Sequence, residues 1–160
     1  MKPEGYSFLQ AKIKIEAWCA YQERCHFEVN NKLFDWGQNE ENRNALISHL
    51  ITNNYLNESR FASAFVSGKF RIKKWGKIKI KQHLKSKQIS EPLIKEGFKE
   101  IDYDEYVATL IHHIQRKYID LKTERDSYKK KAKVMLFVLS KGFEQNLIFE
   151  HYETAISTIE

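Results

Sequence analysis

The chain carries a partial copy of itself. Ser86-Lys87-Gln88-Ile89-Ser90-Glu91-Pro92-Leu93-Ile94-Lys95-Glu96 is matched by Ser140-Lys141-Gly142-Phe143-Glu144-Gln145-Asn146-Leu147-Ile148-Phe149-Glu150, with serine, lysine, leucine, isoleucine and glutamate recurring in register. A weaker third copy opens at Leu33-Phe34-Asp35-Trp36-Gly37 and, after a few extra polar residues, reaches Ala45-Leu46-Ile47. A spacing of about 50 residues is typical of stacked helical units, each too small to bury its apolar face without a neighbour. A chain of 160 residues has room for three.

With only 2 Pro and 6 Gly, and 30% charged residues of mixed sign, the sequence suits solvent-facing helices better than turn-rich sheet. The expected fold is all-α: three tandem three-helix repeats in a curved, elongated array, spanning approximately 8–53, 54–101 and 102–155. Apolar spacing predicts a first long helix from about Phe8 to His26 with Leu9, Ile13, Ala17 and Ala20 on its buried face. A short helix at Glu28 to Asp35 and one at Glu41 to Thr52 complete the first unit. Asn57 is read as an N-cap before Phe61, Ala62, Phe65 and Val66. Gly76 marks a break before a lysine-rich helix with Ile80 and Leu84 inward, and Ser90 caps the next, Pro92 being tolerated in its first turn. Asp102 with Glu105 has capping-box character ahead of Val107, Leu110, Ile111, Ile114 and Tyr118. Thr123 to Ser140, apolar at Val134, Met135, Phe137 and Val138, is stopped by Gly142; Leu147, Ile148 and Tyr152 mark the last helix.

The balance of 27 Lys+Arg against 21 Asp+Glu leaves a net charge of +6, and the excess is local. Between positions 69 and 87 stand Lys69, Arg71, Lys73, Lys74, Lys77, Lys79, Lys81, Lys85 and Lys87 without one carboxylate. A field of one sign favours an anionic partner, nucleic acid first, over a merely solvated face. Lys77, Lys81 and Lys85 repeat every four residues and share a helix face beside Ile80 and Leu84. A second run, Lys129, Lys130, Lys131 and Lys133, either extends that stripe or covers a helix surface, since Glu124 and Asp126 lie near. Trp75 is read as a packing plug rather than a base-stacking platform, and Glu96, Glu100, Asp102, Asp104 and Glu105 as partners of helix N-terminal dipoles.

Other chemistries lack their motifs. The six histidines, at 26, 49, 83, 112, 113 and 151, form no metal-ligand spacing, and Cys19 with His26 would reach one ion only awkwardly. Gly68 and Gly76 are isolated, so no phosphate loop exists, and no serine stands in a nucleophile elbow. No catalytic residue, cofactor or metal is expected. Cys19 and Cys25, read as lying in one helix, fit free thiols in a reducing compartment. No apolar run approaches the roughly 20 residues needed to span a bilayer, and the opening residues hold no export signal, so a cytoplasmic monomer without a membrane partner is expected.

Asn54-Tyr55-Leu56-Asn57-Glu58-Ser59-Arg60-Phe61-Ala62 resembles the central signature of the RecX family, Gly-Tyr-Leu-Asp-Asp-x-Arg-Phe-Ala. Gly76, Ile80, Leu84, Lys87 and Ile89 sit where that family has a glycine, an inward isoleucine and leucine, and a Lys-Gly-Ile turn. Leu139-Ser140-Lys141-Gly142-Phe143 is similar to its closing Leu-x-x-Arg-Gly-Phe segment, and Arg24, Glu28-Val29 and Lys32-Leu33 to its Arg-x-x-x-Glu-Leu-x-x-Lys-Leu pattern. Departures are Asn54 and Gln88 for glycines, Asn57-Glu58 for the Asp pair, and Cys25 where a helix-capping serine often stands. The resemblance implies tandem three-helix repeats lying in the groove of the RecA nucleoprotein filament, hindering ATP hydrolysis, strand exchange and filament extension in DNA repair, recombination and the SOS response. The basic run itself, and not the resemblance, is the ground for expecting contact with single- or double-stranded DNA. The alternatives are a sequence-nonspecific helical DNA-binding protein and an enzyme of nucleic-acid metabolism; a recognition helix offering mostly lysine would read bases poorly, and no acidic metal cluster lies near the basic run.

Overall fold

The computed structural model describes residues 5–160, so most of the segment read for an export signal lies outside the described residues. Among the described residues there are nine α-helices and no strand: α1 Phe8–Tyr21, α2 His26–Asp35, α3 Glu40–Thr52, α4 Glu58–Arg71, α5 Lys77–Ser86, α6 Glu91–Gly97, α7 Tyr103–Asp120, α8 Ser127–Ser140 and α9 Gln145–Ser157. One compact unit takes the chain through Ala64 together with Leu84–Gly97; the other takes Phe65–His83 with Phe98–Glu160. In the first, α1, α2 and α3 close on Ala11, Ile15, Cys19, Val29, Leu33, Leu46, Leu50 and Leu56, with Trp18 and Trp36 packed alongside. In the second, α7 packs along α8 and α9.

Polar side chains set most helix starts. Ser7 accepts from the backbone of Gln10 while the Gln10 side chain accepts from Ser7, a complete capping box. Asn57 caps α4 as its sequence context predicts, its Oδ1 accepting from Arg60 N at 3.0 Å. Asp102 does the same for Glu105 N, and Asp126 accepts from both Tyr128 N and Lys129 N. That last cap starts α8 at Ser127, four residues later than apolar spacing suggests.

Three expectations for α1 are corrected. It ends at Tyr21, not His26, because Gln22 is extended (φ −156°, ψ 162°), and Cys25 stands at the N-cap of α2 rather than in a helix with Cys19. At this N-cap Glu28 accepts from Cys25 N at 3.1 Å. The buried face carries Ala11, Ile15 and Cys19, while Leu9, Ile13, Ala17 and Ala20 are exposed. This helix is apolar on two sides, so periodicity alone cannot choose between them.

The internal repeat is visible as backbone. The second helix of each triplet ends in a left-handed residue: Gly37 (φ 81°), Gln88 (φ 60°) and Gly142 (φ 94°). After α2 and α5 the hydrogen bonds are the same, Gly37 N to Phe34 O with Gln38 N to Leu33 O, and Gln88 N to Lys85 O with Ile89 N to Leu84 O. Gln88 thus takes the left-handed conformation that favours glycine, as Asn54 (φ 60°) does after α3. The next residue is buried each time, Gln38, Ile89 and Phe143, preceded by the inward pairs Val29/Leu33, Ile80/Leu84 and Val134/Val138.

Gly76 and Gly142 are brought together. Gly76 N donates to Lys141 O at 2.7 Å and Ile78 N to Gly142 O at 3.0 Å. A Cβ on Gly76 would collide with the Gly142 carbonyl, whereas one on Gly68, inside α4, meets nothing. Gly76→Ala should therefore cost about 3 kcal/mol or more, the scale of changes that force buried backbone apart. Gly68→Ala should stabilise by about 0.5–1 kcal/mol through helix propensity. Urea unfolding midpoints check both, and equal midpoints for the two variants would refute the close approach.

Candidate nucleic-acid interface

The run from Lys69 to Lys87 begins in the last turn of α4, crosses a short turn at 72–76 and continues along α5. The turn is tightly tied. Lys74 is left-handed (φ 58°), its N–H reaches Phe70 O at 3.0 Å, and Trp75 N reaches Lys69 O at 3.1 Å. From α7, His113 Nε2 donates to Lys74 O at 2.8 Å. Its ring lies against Phe143 and Phe137, and burial first, then the charges of Lys141, His112 and Lys74, hold it below the ordinary imidazole range. Tyr106, fully buried on α7, accepts from Lys77 N at 3.0 Å and donates to Glu144 at 2.6 Å, and burial pushes its phenol far up.

The nine cations divide. Lys85 pairs with Glu91 at 2.6 Å and Lys87 with Glu28 at 3.1 Å. Among the described residues, none of Lys69, Arg71, Lys73, Lys74, Lys77 and Lys79 makes an ion pair, although all belong to one compact unit. Arg71, Lys73 and Lys74 are exposed, with Arg71 bonded only to Ser67 Oγ. Lys69 and Lys79 stand 5.0 and 4.6 Å from the centre of the Trp75 ring, which also packs against His83, and Lys77 stands 5.0 Å from that of Tyr106. Trp75 is spent in packing and is not a free platform. Lys81 is half-buried on α5, beside inward Ile80 and Leu84.

On α8 the second run is more occupied. Lys131 pairs with Glu153 at 3.1 Å and Lys133 with Glu124 at 2.7 Å, which holds that carboxyl below the usual carboxylate range. Lys130 lies over the Tyr118 ring at 3.6 Å, leaving Lys129 exposed at the first turn.

The segment most specific to the family is structural. Asn54 ends α3, Leu56 is buried, and Asn57 caps α4. Glu58 accepts from His26 N at 3.3 Å. Arg60 binds Asn54 O at 2.9 Å, Asn54 Oδ1 at 2.7 Å and Glu23 at 2.9 Å. Sequence reasoning missed Tyr106 and His113, whose only signal is a polar tip at an inward helix position, and Ile72, an apolar residue 78% exposed among cations.

No group of three His, Cys, Asp or Glu suited to a metal ion occurs among the described residues, and no described helix is long and apolar enough to cross a membrane. Cys19 and Cys25 are free and buried, and burial pushes their thiols up to about 11 and about 12.

Helix triplets with left-handed second-helix ends define a tandem three-helix-domain protein. The family model described as "RecX, second three-helix domain" matches residues 57–97, and "RecX, third three-helix domain" matches residues 104–151, together more than half of the chain. The chain belongs to the RecX family. It is 30% identical over 135 residues to Regulatory protein RecX of Lactobacillus johnsonii, covering 82% of this chain and 48% of that one. With Regulatory protein RecX of Clostridium botulinum it shares 31% over 131 residues, covering 81% and 61%. The chain thus spans roughly half the length of these relatives. The crystal structure of RecX from Lactobacillus salivarius superposes with a TM-score of 0.79 at 20% identity, over 94% of this chain and 95% of that one. A crystal structure of regulatory protein RecX gives 0.82 at 18%, over 92% and 71%. These two show the fold.

His113 yields a pH dependence. The unfolded chain takes up a proton near the ordinary imidazole pKa of about 6.5, while the folded chain resists until lower pH, so stability is complete above that value and falls as pH drops below it. Urea midpoints measured from pH 7.5 to about 5 should fall more steeply for the native chain than for His113→Gln, which keeps a donor for Lys74 O without titrating in this range. Parallel curves would remove His113 as the source.

Proposed function

We propose that this protein regulates the RecA recombinase by binding its nucleoprotein filament, and that it meets DNA or an acidic groove wall through the braced turn between α4 and α5. The observation that carries this reading is the set of six cations from Lys69 to Lys79, around the turn between α4 and α5, without a carboxylate partner among the described residues, in a chain of the RecX family. The three-helix repeats are read as 8–53, 54–101 and 102–155, acting as a cytoplasmic monomer without enzymatic activity of its own. Lys81, Lys85 and Lys87 extend the contact only where an anionic partner displaces the carboxylates held by the latter two. Lys129, Lys130, Lys131 and Lys133 form a weaker second patch for the same reason.

Phosphate contacts act through counterion release. Six of them would lower affinity by about a thousandfold between 50 and 200 mM salt, with little dependence on sequence. The test is ATP hydrolysis by RecA on single-stranded DNA with this protein added well below RecA stoichiometry. Arg71→Glu/Lys73→Glu changes two exposed side chains and should leave folding intact. The native chain should inhibit, and the double variant should lose roughly tenfold or more in potency. No inhibition at any ratio, with salt-sensitive DNA binding retained, would leave a sequence-nonspecific helical DNA-binding protein instead.

A further inference from the structure

Ile72 sits at the crest of the α4–α5 turn, 78% exposed, between Arg71 on one side and Lys73 and Lys74 on the other, all exposed. Leu9 and Ile13, also exposed, lie along the flank of a helix, whereas Ile72 stands beyond the end of one and is far more exposed than Ile159, which also follows a helix end. Its position is fixed from both directions. Ile72 N bonds Gly68 O at 2.9 Å, continuing the α4 ladder, and two residues later Lys74 is locked left-handed with its carbonyl held by His113. Beside it, Arg71 and Lys74 border a recess of about 380 Å³ with Phe70, Ala108, Thr109 and a single carboxylate, Glu105.

A rigid apolar tip flanked by cations has the chemistry of a wedge. Cations hold the phosphates on either side, and a branched aliphatic side chain enters between neighbouring bases, trading exposed hydrocarbon for a stacked contact. A mobile tip would lose the gain in ordering entropy, and an uncharged surround would not bring the strand to it. We propose that Ile72 is a base-step wedge for a nucleic-acid strand seated on Arg71, Lys73 and Lys74. This inference rests on the DNA contact proposed above and adds the way in which the strand is held.

The experiment uses the full chain and a short DNA oligonucleotide carrying 2-aminopurine between purines, single-stranded and as a duplex, with affinity followed separately by anisotropy. Unstacking by the wedge should raise the 2-aminopurine fluorescence on binding. Ile72→Ala should abolish that rise and weaken binding by roughly three- to tenfold with the salt slope unchanged, because the phosphate contacts remain. Ile72→Leu should restore both. Lys73→Glu should instead lower the salt slope by about one. Binding by the native chain with unchanged fluorescence, or a rise that survives Ile72→Ala, overturns the wedge and leaves the filament regulator standing. Loss of RecA inhibition by Ile72→Ala with an unaltered DNA signal overturns it in favour of a protein contact. If the native chain inhibits RecA but binds no oligonucleotide, the wedge fails and the regulator survives through protein contacts; if it does neither, both fail together.

Discussion

The pairing of the chain at Gly76 with the turn between α8 and α9 is the contact on which the basic surface depends. Helix α5 has no acidic residue in its first turn, and Lys77 and Lys79 place positive charge at the positive end of its dipole. The N–H groups at that end need acceptors, and tertiary structure supplies them: Lys141 O for Gly76, the Tyr106 hydroxyl for Lys77 and Gly142 O for Ile78. Such backbone approach is possible only without side chains at both 76 and 142. Tyr106 completes the arrangement by passing its own proton toward Glu144, so a buried hydroxyl is satisfied both as acceptor and as donor.

How much of this was readable in the sequence follows from where the information lies. The repeat between 86–96 and 140–150 located equivalent helix ends, and the left-handed turns at Gln88 and Gly142 are its physical content. Asn54 and Gln88 adopt the glycine conformation because C-terminal hydrogen bonds and a buried following residue outweigh a strain of about 1–2 kcal/mol. The face of α1 was not legible, since Leu9/Ile13 and Ala11/Ile15 have the same period and only packing against α2 and α3 distinguishes them. Nor was the start of α8, because Asp126 is one of several polar residues able to cap and the choice is made by geometry.

The candidate surface was legible as charge and illegible as pairing. A one-dimensional count gives Lys85 and Lys87 the same weight as Lys73, yet their carboxylates come from Glu91 and, 59 positions away, Glu28. The family signature behaves in the opposite way. Asn54, Glu58 and Arg60 are conspicuous in sequence, but they tie α3, α4 and the α1–α2 link together. Residues that make the resemblance specific therefore report the fold, and the contact surface has to be argued from electrostatics.

Folding itself explains only some of these charges. Lys69 and Arg71 lie in the last turn of α4, and Lys73 and Lys74 just beyond it, where cations interact favourably with the helix dipole by about 0.3–1 kcal/mol each. Their presence alone would not require a partner. Lys77 and Lys79 are at the wrong end of α5, where the same term opposes them, and contact with Tyr106 and Trp75 returns at most about 0.5–1 kcal/mol apiece at such partly exposed sites. Mutual repulsion among the six cations that make no ion pair among the described residues adds to that cost and is screened only partly at physiological ionic strength. A polyanion lying over these cations and the N-terminal end of α5 would offset both opposing terms, the repulsion among the cations and the dipole against Lys77 and Lys79, and this charge in excess of what the fold uses is why the proposed contact falls at this turn.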